Sequence, residues 1–76
     1  NSITYQTNDG KIHKEYGSYS FFLIRQKITK ILEIDGCRDL KELRLDENMI
    51  EQIEHFDDVS NLTFLNLLDN RIQRIE

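Results

Sequence analysis

Apolar residues in the C-terminal three quarters of the chain recur at a spacing of 22 residues. Aligned at this period, they form columns that contain only apolar residues: Phe21, Leu43 and Leu65; Leu23, Leu45 and Leu67; Ile28, Ile50 and Ile72; Ile31, Ile53 and Ile75; Ile34 and Phe56; Cys37 and Val59; Leu40 and Leu62. A repeat of this length is typical of solenoids, in which each unit buries its apolar face against its neighbours. The pattern therefore directs the question of function to a surface.

The second and third copies contain an L-x-L alternation and the first has Phe21-x-Leu23, which predicts a short strand in each copy with both apolar residues on one face. We expect three parallel strands in one curved sheet, near residues 21–24, 43–46 and 65–68. Asn48 and Asn70 follow the second and third strands, where the backbone must turn. Because a side-chain amide can both donate and accept hydrogen bonds, we assign these two asparagines a structural role.

The repeat carries a specific motif. From Leu40 the chain reads L-x-x-L-x-L-x-x-N-x-I-x-x-I-x-x-F-x-x-V, and the same pattern begins again at Leu62. This resembles the leucine-rich repeat family, whose signature is L-x-x-L-x-L-x-x-N/C-x-L. The length and the I-x-x-I-E ending are similar to the short 22-residue subclass typified by the nuclear regulatory subunit of protein phosphatase one. The resemblance covers residues 21–76, with one degenerate copy in which Gln26 replaces the asparagine, one full copy and one truncated copy.

The resemblance implies a fold and a class of function. The implied fold is α/β: a leucine-rich repeat solenoid with a parallel-sheet horseshoe, mostly short strands, and irregular or 3-10 segments on the convex side. The implied function is protein binding, without catalysis and without a cofactor. The single cysteine, Cys37, lies in a core column, which favours a reducing compartment. We therefore expect an intracellular location, whether cytoplasmic, cytoskeletal or nuclear.

Residues 1–20 have no place in the repeat and form a separate predicted unit, an N-terminal β-hairpin cap, before the repeats at 21–76. Asp9-Gly10 between two alternating runs is a strong hairpin signal. A two-residue turn there places Ile3 opposite Tyr16, with the apolar members on one face, and that face is expected to cover the edge of the first repeat strand. The alternative is a disordered arm that folds on a partner.

The net charge of −4 is unevenly distributed along the chain. Residues 1–32 carry five basic and two acidic side chains, whereas residues 33–58 carry three basic and ten acidic ones. The acidic band disfavours nucleic acid as a partner there and favours a basic one, unless it is simply a solvated convex face. The chain has no apolar run long enough to span a membrane, so no membrane partner is expected. Because the third copy has no following cap, we expect a longer chain or a larger complex.

Little in the sequence points to catalysis or to a metal site. The glycines stand alone, so there is no glycine-rich phosphate loop. His13 and His55 have metal-ligand spacing neither to each other nor to Cys37. We therefore predict no enzymatic activity and no bound metal for this chain.

The informative surface is the concave face of the predicted sheet, to which the strand residues between the core leucines point. We predict that a protein partner binds there, at Phe22, Ile24, Glu42, Arg44, Asp46, Phe64, Asn66 and Leu68. Aromatic side chains beside an arginine are typical of binding hot spots. The predicted protein is thus the N-terminal end of an intracellular leucine-rich repeat protein. The alternatives are a structural cap or spacer in a large assembly, which would fill this face with its own chain, and a regulatory domain of a longer enzyme.

Overall fold

The computed structural model describes residues 1–54, 56, 59 and 61–75, with only the backbone at 74 and 75. The regular elements of this part are all strands: β1 (Ser2–Thr7), β2 (Ile12–Tyr16), β3 (Ser20–Phe22), β4 (Ile28–Asp35), β5 (Glu42–Arg44), β6 (Gln52–Ile53), β7 (Phe64–Asn66) and β8 (Arg74–Ile75). They form two three-stranded sheets, in the orders β2-β1-β4 and β3-β5-β7, and a separate pair β6-β8.

The predicted fold class, an α/β leucine-rich repeat solenoid built on one parallel-sheet horseshoe, is wrong. The described residues contain no helix, and one of the two three-stranded sheets is antiparallel. The convex segments, predicted to be irregular or 3-10, contain the strands β4, β6 and β8. A physical reason is visible in β4, where Ile28, Thr29, Ile31 and Ile34 are β-branched and therefore favour a pleated strand.

The parallel sheet has the 22-residue register of the sequence. Leu43 of β5 lies opposite Phe21 on one side and opposite Leu65 on the other. The ladder continues past the strands, because the amide of Leu45 donates to the carbonyl of Asn66 at 2.9 Å. Apolar spacing thus places these three strands, although it does not determine the fold class.

The antiparallel sheet depends on two bulges in β4. Ile34, Ile31 and Ile28 lie opposite every second residue of β1, beginning at Ile3. The register shifts twice along this pair, and each shift leaves one extra residue in β4. A bulge of this kind changes which residues share a face. Isoleucines that are three residues apart are therefore all buried on the same side of one strand.

The hairpin of β1 and β2 is present, but its predicted register is wrong by one residue. Ile3 lies opposite Glu15, not opposite Tyr16. The loop contains three residues, 8–10, and Gly10 adopts the left-handed conformation with φ of 84°. A three-residue loop reverses the parity that a two-residue turn would give, so the faces of β2 are exchanged. Tyr16 is consequently on the solvent side and 75% exposed.

The core joins the hairpin to the first two copies of the repeat. Ile3 and Tyr5 of β1 are buried together with column residues of the first copy (18–37) and the second copy (40–59). β1 reaches them by pairing with β4. That a face of the hairpin covers the edge of β3 stays a prediction. The division between a cap at 1–20 and repeats at 21–76 stays a prediction, although strand pairing crosses it.

Candidate protein-binding face

One side of the sheet β3-β5-β7 packs on the core, and the other side carries the predicted binding residues. Alternation along each short strand explains this, because Phe21 and Leu43 point inward and are buried, so the residues beside them point outward. We call this outward side the open face, formed by Phe22, Ile24, Glu42, Arg44, Asp46, Phe64, Asn66 and Leu68. Strand register places Phe22, Arg44 and Asn66 in one row across the three strands.

Three large apolar side chains of the open face are exposed. Phe22 is 57% exposed, Phe64 is 47% exposed and Leu68 is 69% exposed. Ile24, Glu42, Arg44 and Asn66 are half-buried. The structure therefore brings the predicted apolar residues together on one surface and leaves them accessible.

Arg44 lies at the centre of this surface and contacts two other members of it. Its guanidinium carbon is 5.8 Å from the centroid of the Phe64 ring, a distance at which a cation is attracted to the ring face. Its Nε atom lies 3.5 Å from Oδ1 of Asp46. Both of these atoms are buried, and neither has a hydrogen-bond partner among the described residues. The pair is therefore held by charge at a distance too long for a good hydrogen bond.

Asp46 is predicted to contact the partner, but the structure places it almost completely inside the molecule. Only 9% of the residue is exposed, so little of it can touch a partner directly. Its carboxylate instead restrains Arg44, about a third of whose side chain remains accessible. Asp46 is thus a positioning residue for the exposed part of the arginine. Sequence alternation alone does not distinguish these two roles.

The two asparagines hydrogen-bond the turning backbone and also join one copy to the next. Asn48 Nδ2 donates to the carbonyl of Leu45 in its own copy and to that of Leu23 in the preceding copy, at 2.9 and 2.7 Å. Its Oδ1 accepts from the amides of Gln26 and Ile28, at 2.9 and 3.1 Å. Each side chain therefore bridges two copies, a feature that the motif did not indicate.

Asn70 repeats this arrangement one copy further along. Its Nδ2 donates to the carbonyls of Leu67 and Leu45, at 3.1 and 2.8 Å, and its Oδ1 accepts from the amide of Ile50 at 3.0 Å. Asn70 is half-buried, whereas Asn48 is buried. The asparagine at this position of the repeat therefore bridges two copies in both places, and Asn70 does so in a more exposed setting than Asn48.

A left-handed turn residue follows each strand of the parallel sheet, and sequence reasoning missed it. Arg25, Glu47 and Asp69, spaced by 22 residues, have φ values of 57°, 58° and 57°. Glycine is the usual signal for this conformation. Because none of the three residues is glycine, the sequence does not indicate it. Arg25 also donates to both carboxylate oxygens of Glu47, at 3.0 and 3.1 Å. This pair is well exposed and contributes little to stability.

Other chemistry is sparse in the part of the chain that the structure describes. No group of three or more histidine, cysteine, aspartate or glutamate side chains is arranged to hold a metal ion there. No helix there is long and apolar enough to cross a membrane. Cys37 is fully buried, and this burial raises the pKa of its thiol, which makes the group a poor nucleophile. In the acidic band, His55, Asp57 and Asp58 lie outside the described residues.

Comparison with known proteins adds no relative: no family model matches the chain, and neither does any curated protein or solved structure. The resemblance to leucine-rich repeats stays a prediction from the motif.

Proposed function

We propose that this chain is a protein-interaction module that binds a protein partner through the open face. The observation that carries the proposal is the exposure of Phe22, Phe64 and Leu68 on one sheet face around Arg44. Large apolar side chains gathered on a surface mark interaction sites. Aromatic residues beside an arginine are enriched among the residues that dominate binding energy.

The accessibility of this face favours binding over a purely structural role. A spacer would cover the face with its own chain. Within residues 1–54, 56, 59 and 61–75, no segment covers Phe22, Phe64 or Leu68, which remain 47% or more exposed. A partner that covered these side chains would remove their apolar surface from water, which favours association by about 25 cal/mol per Å².

The restraint of Arg44 also supports a binding role. Asp46 holds its Nε atom from one side, and the ring of Phe64 lies beside its guanidinium group. A side chain that is already restrained loses less conformational freedom when a partner binds. The open face therefore presents an apolar surface with a cation at a defined place in it.

The test compares partner capture by immobilised variants of the chain. We expect Phe64→Ala and Leu68→Ala to lose the same bound protein from cell extract while their thermal unfolding stays near that of the parent, since both side chains are exposed. Tyr19→Ala is the matched control, because Tyr19 is also an exposed aromatic residue but is not part of the open face. With the captured protein purified, each open-face variant should raise its Kd by roughly thirtyfold, as a loss of about 2 kcal/mol implies.

Two results would overturn the proposal. In the first, both open-face variants bind the purified partner as tightly as the parent does. In the second, binding falls only in step with a fall in melting temperature, which would make the effect one of folding. Either result would leave the spacer as the better account of this chain.

A further inference from the structure

The outer strand of the antiparallel sheet, β2, has an unpaired edge in the part of the chain that the structure describes. The strand order β2-β1-β4 places β1 on one side of it and no described strand on the other. Its pairing with β1 runs from Ile12 to Tyr16 without a register shift, whereas the pairing of β1 with β4 shifts twice. β2 is therefore a regular edge of five residues, long enough to pair with another strand.

The backbone groups that point out from this edge can be identified from the hairpin. The amide of Thr7 donates to the carbonyl of Lys11 at 3.0 Å, which fixes the phase of the ladder between β1 and β2. In an antiparallel ladder, hydrogen-bonded residues alternate with residues whose N–H and C=O groups point away. Ile12, Lys14 and Tyr16 therefore direct their main-chain donors and acceptors to the free edge.

The side chains of the same three residues lie together on the solvent face of the sheet, because they alternate with His13 and Glu15. Ile12 is 64% exposed and Tyr16 is 75% exposed. Lys14 lies between them, with its Nζ atom 5.6 Å from the centroid of the Tyr16 ring. The edge thus presents an apolar, a basic and an apolar side chain in sequence, next to outward backbone hydrogen-bonding groups.

We propose that β2 accepts an extended segment of a protein partner as an additional antiparallel strand, with a carboxylate opposite Lys14 and apolar side chains opposite Ile12 and Tyr16. Strand addition of this kind combines main-chain hydrogen bonds with recognition by alternate side chains. Opposite charges that face each other across two strands stabilise the pair. The excess of basic side chains in residues 1–32 also attracts an acidic segment.

The same lysine disfavours a second copy of this chain as the occupant. Two β2 strands that pair antiparallel along their full length place Ile12 opposite Tyr16 and Lys14 opposite Lys14 of the other copy. Like charges in directly opposite positions destabilise strand pairing, and lysine on an edge strand protects it against self-association. Lys14 therefore favours an acidic strand over a copy of itself. This edge lies on a different sheet from the open face, so the two surfaces can be tested independently.

The proposal can be tested with the 76-residue chain and a labelled peptide, acetyl-Thr-Val-Thr-Glu-Thr-Val-Thr-amide, titrated by fluorescence anisotropy. Its valine and glutamate side chains match Tyr16, Lys14 and Ile12 in the antiparallel register. The control peptide carries lysine in place of glutamate. We expect the glutamate peptide to bind about fivefold or more tightly than the control. Lys14→Glu should reverse this order, and Phe64→Ala should leave it unchanged.

Methylation of the peptide backbone separates strand addition from general charge attraction. An N-methyl group on the glutamate removes a donor that faces β2, so binding should be lost. An N-methyl group on a neighbouring threonine points away from β2, so binding should persist. Equal affinity of the two methylated peptides, equal affinity of the glutamate and lysine peptides, or dimerisation of the chain through β2 in sedimentation experiments would each overturn the proposal.

Discussion

The second and third copies of the repeat (40–59 and 62–76) share one sequence signature but have different surroundings. Leu43 of the second copy is fully buried, whereas Leu65, its counterpart in the third copy, is 41% exposed. β5 lies between β3 and β7, while β7 lies at the edge of the described sheet. The signature therefore determines which way a side chain points, and the neighbours on both sides determine how deeply it is buried.

The largest difference in stability between the two copies is expected when leucines at equivalent positions are replaced by alanine. Leu45 is fully buried and Leu67 is half-buried. We expect Leu45→Ala to lower the free energy of unfolding by about 2–5 kcal/mol, because it leaves a cavity between packed neighbours. Leu67→Ala should lower it by only about 1 kcal/mol, since less apolar surface is lost from the core. Urea unfolding of both variants measures the difference, and equal losses would contradict the comparison.

The next effect concerns the asparagines that bridge the copies. Asn48→Ala leaves the carbonyl of Leu23 and the amide of Ile28 without these partners in a buried setting, and should lower the free energy of unfolding by about 2–3 kcal/mol. Asn70→Ala exposes similar groups to water and should lower it by about 1 kcal/mol. Chemical unfolding of the pair checks this order. A larger loss for Asn70→Ala would show that surroundings do not set the strength of the bridge.

A smaller effect on stability is expected at alkaline pH, and it should come from two buried side chains that lose a proton there on unfolding. Burial raises the pKa of Cys37 above its ordinary value of 9.0, and burial with a smaller contribution from Glu15 raises the pKa of Tyr5. Above about pH 9 the unfolded thiol releases its proton while the folded one keeps it, so stability that is present below this pH is lost as pH rises. Unfolding free energies measured between about pH 7 and about pH 10.5 should fall. Cys37→Ala should have a shallower fall, and an unchanged slope would show that the thiol is not responsible.

The smallest effect on stability is expected on the open face. Phe64→Ala and Phe22→Ala should lower the free energy of unfolding by less than about 1 kcal/mol, since about half of each residue is already in water. Thermal unfolding of the two variants beside Phe21→Ala, whose side chain is buried, measures this. A loss for Phe64→Ala that equals the loss for Phe21→Ala would mean that the open face is part of the core.

The parallel sheet was predictable from sequence, because its strands and its core positions depend on one local rule. Leucines two residues apart point to one face of a strand, and repetition at 22 residues aligns them. Leu43 and Leu45 follow that rule in the structure, where both are fully buried. The exposure of Phe64 follows from the same alternation.

The remainder of the fold depends on backbone features that leave weak marks in the sequence. Ile28, Ile31 and Ile34 share a face only because two bulges occur where β4 meets β1, a partner distant in sequence. The hairpin register depends on whether Gly10 ends a two-residue or a three-residue loop, and Asp-Gly is compatible with both. Spacing therefore identified apolar positions but assigned neither the all-β class nor the pairing of β1 with β4.

The candidate site shows the same division between side-chain direction and environment. Alternation indicated that Arg44 and Asp46 point outward, but the near-complete burial of Asp46 depends on its contact with the arginine and on the chain around it. The left-handed conformation of Glu47 also has no sequence signal, since the residue is not glycine. Such details require the packed structure.

Native-state hydrogen exchange tests most directly the claim that neighbours determine how firmly each copy is held. The amides of Leu23 and Met49 donate to the carbonyls of Arg44 and Ile28, within the first two copies, whereas the amides of Arg71 and Gln73 belong to the third copy. We predict that Leu23 and Met49 exchange only by global unfolding, with the free energy measured by urea, and that Arg71 and Gln73 exchange through a local opening of lower free energy. Equal opening free energies for all four amides would contradict the account.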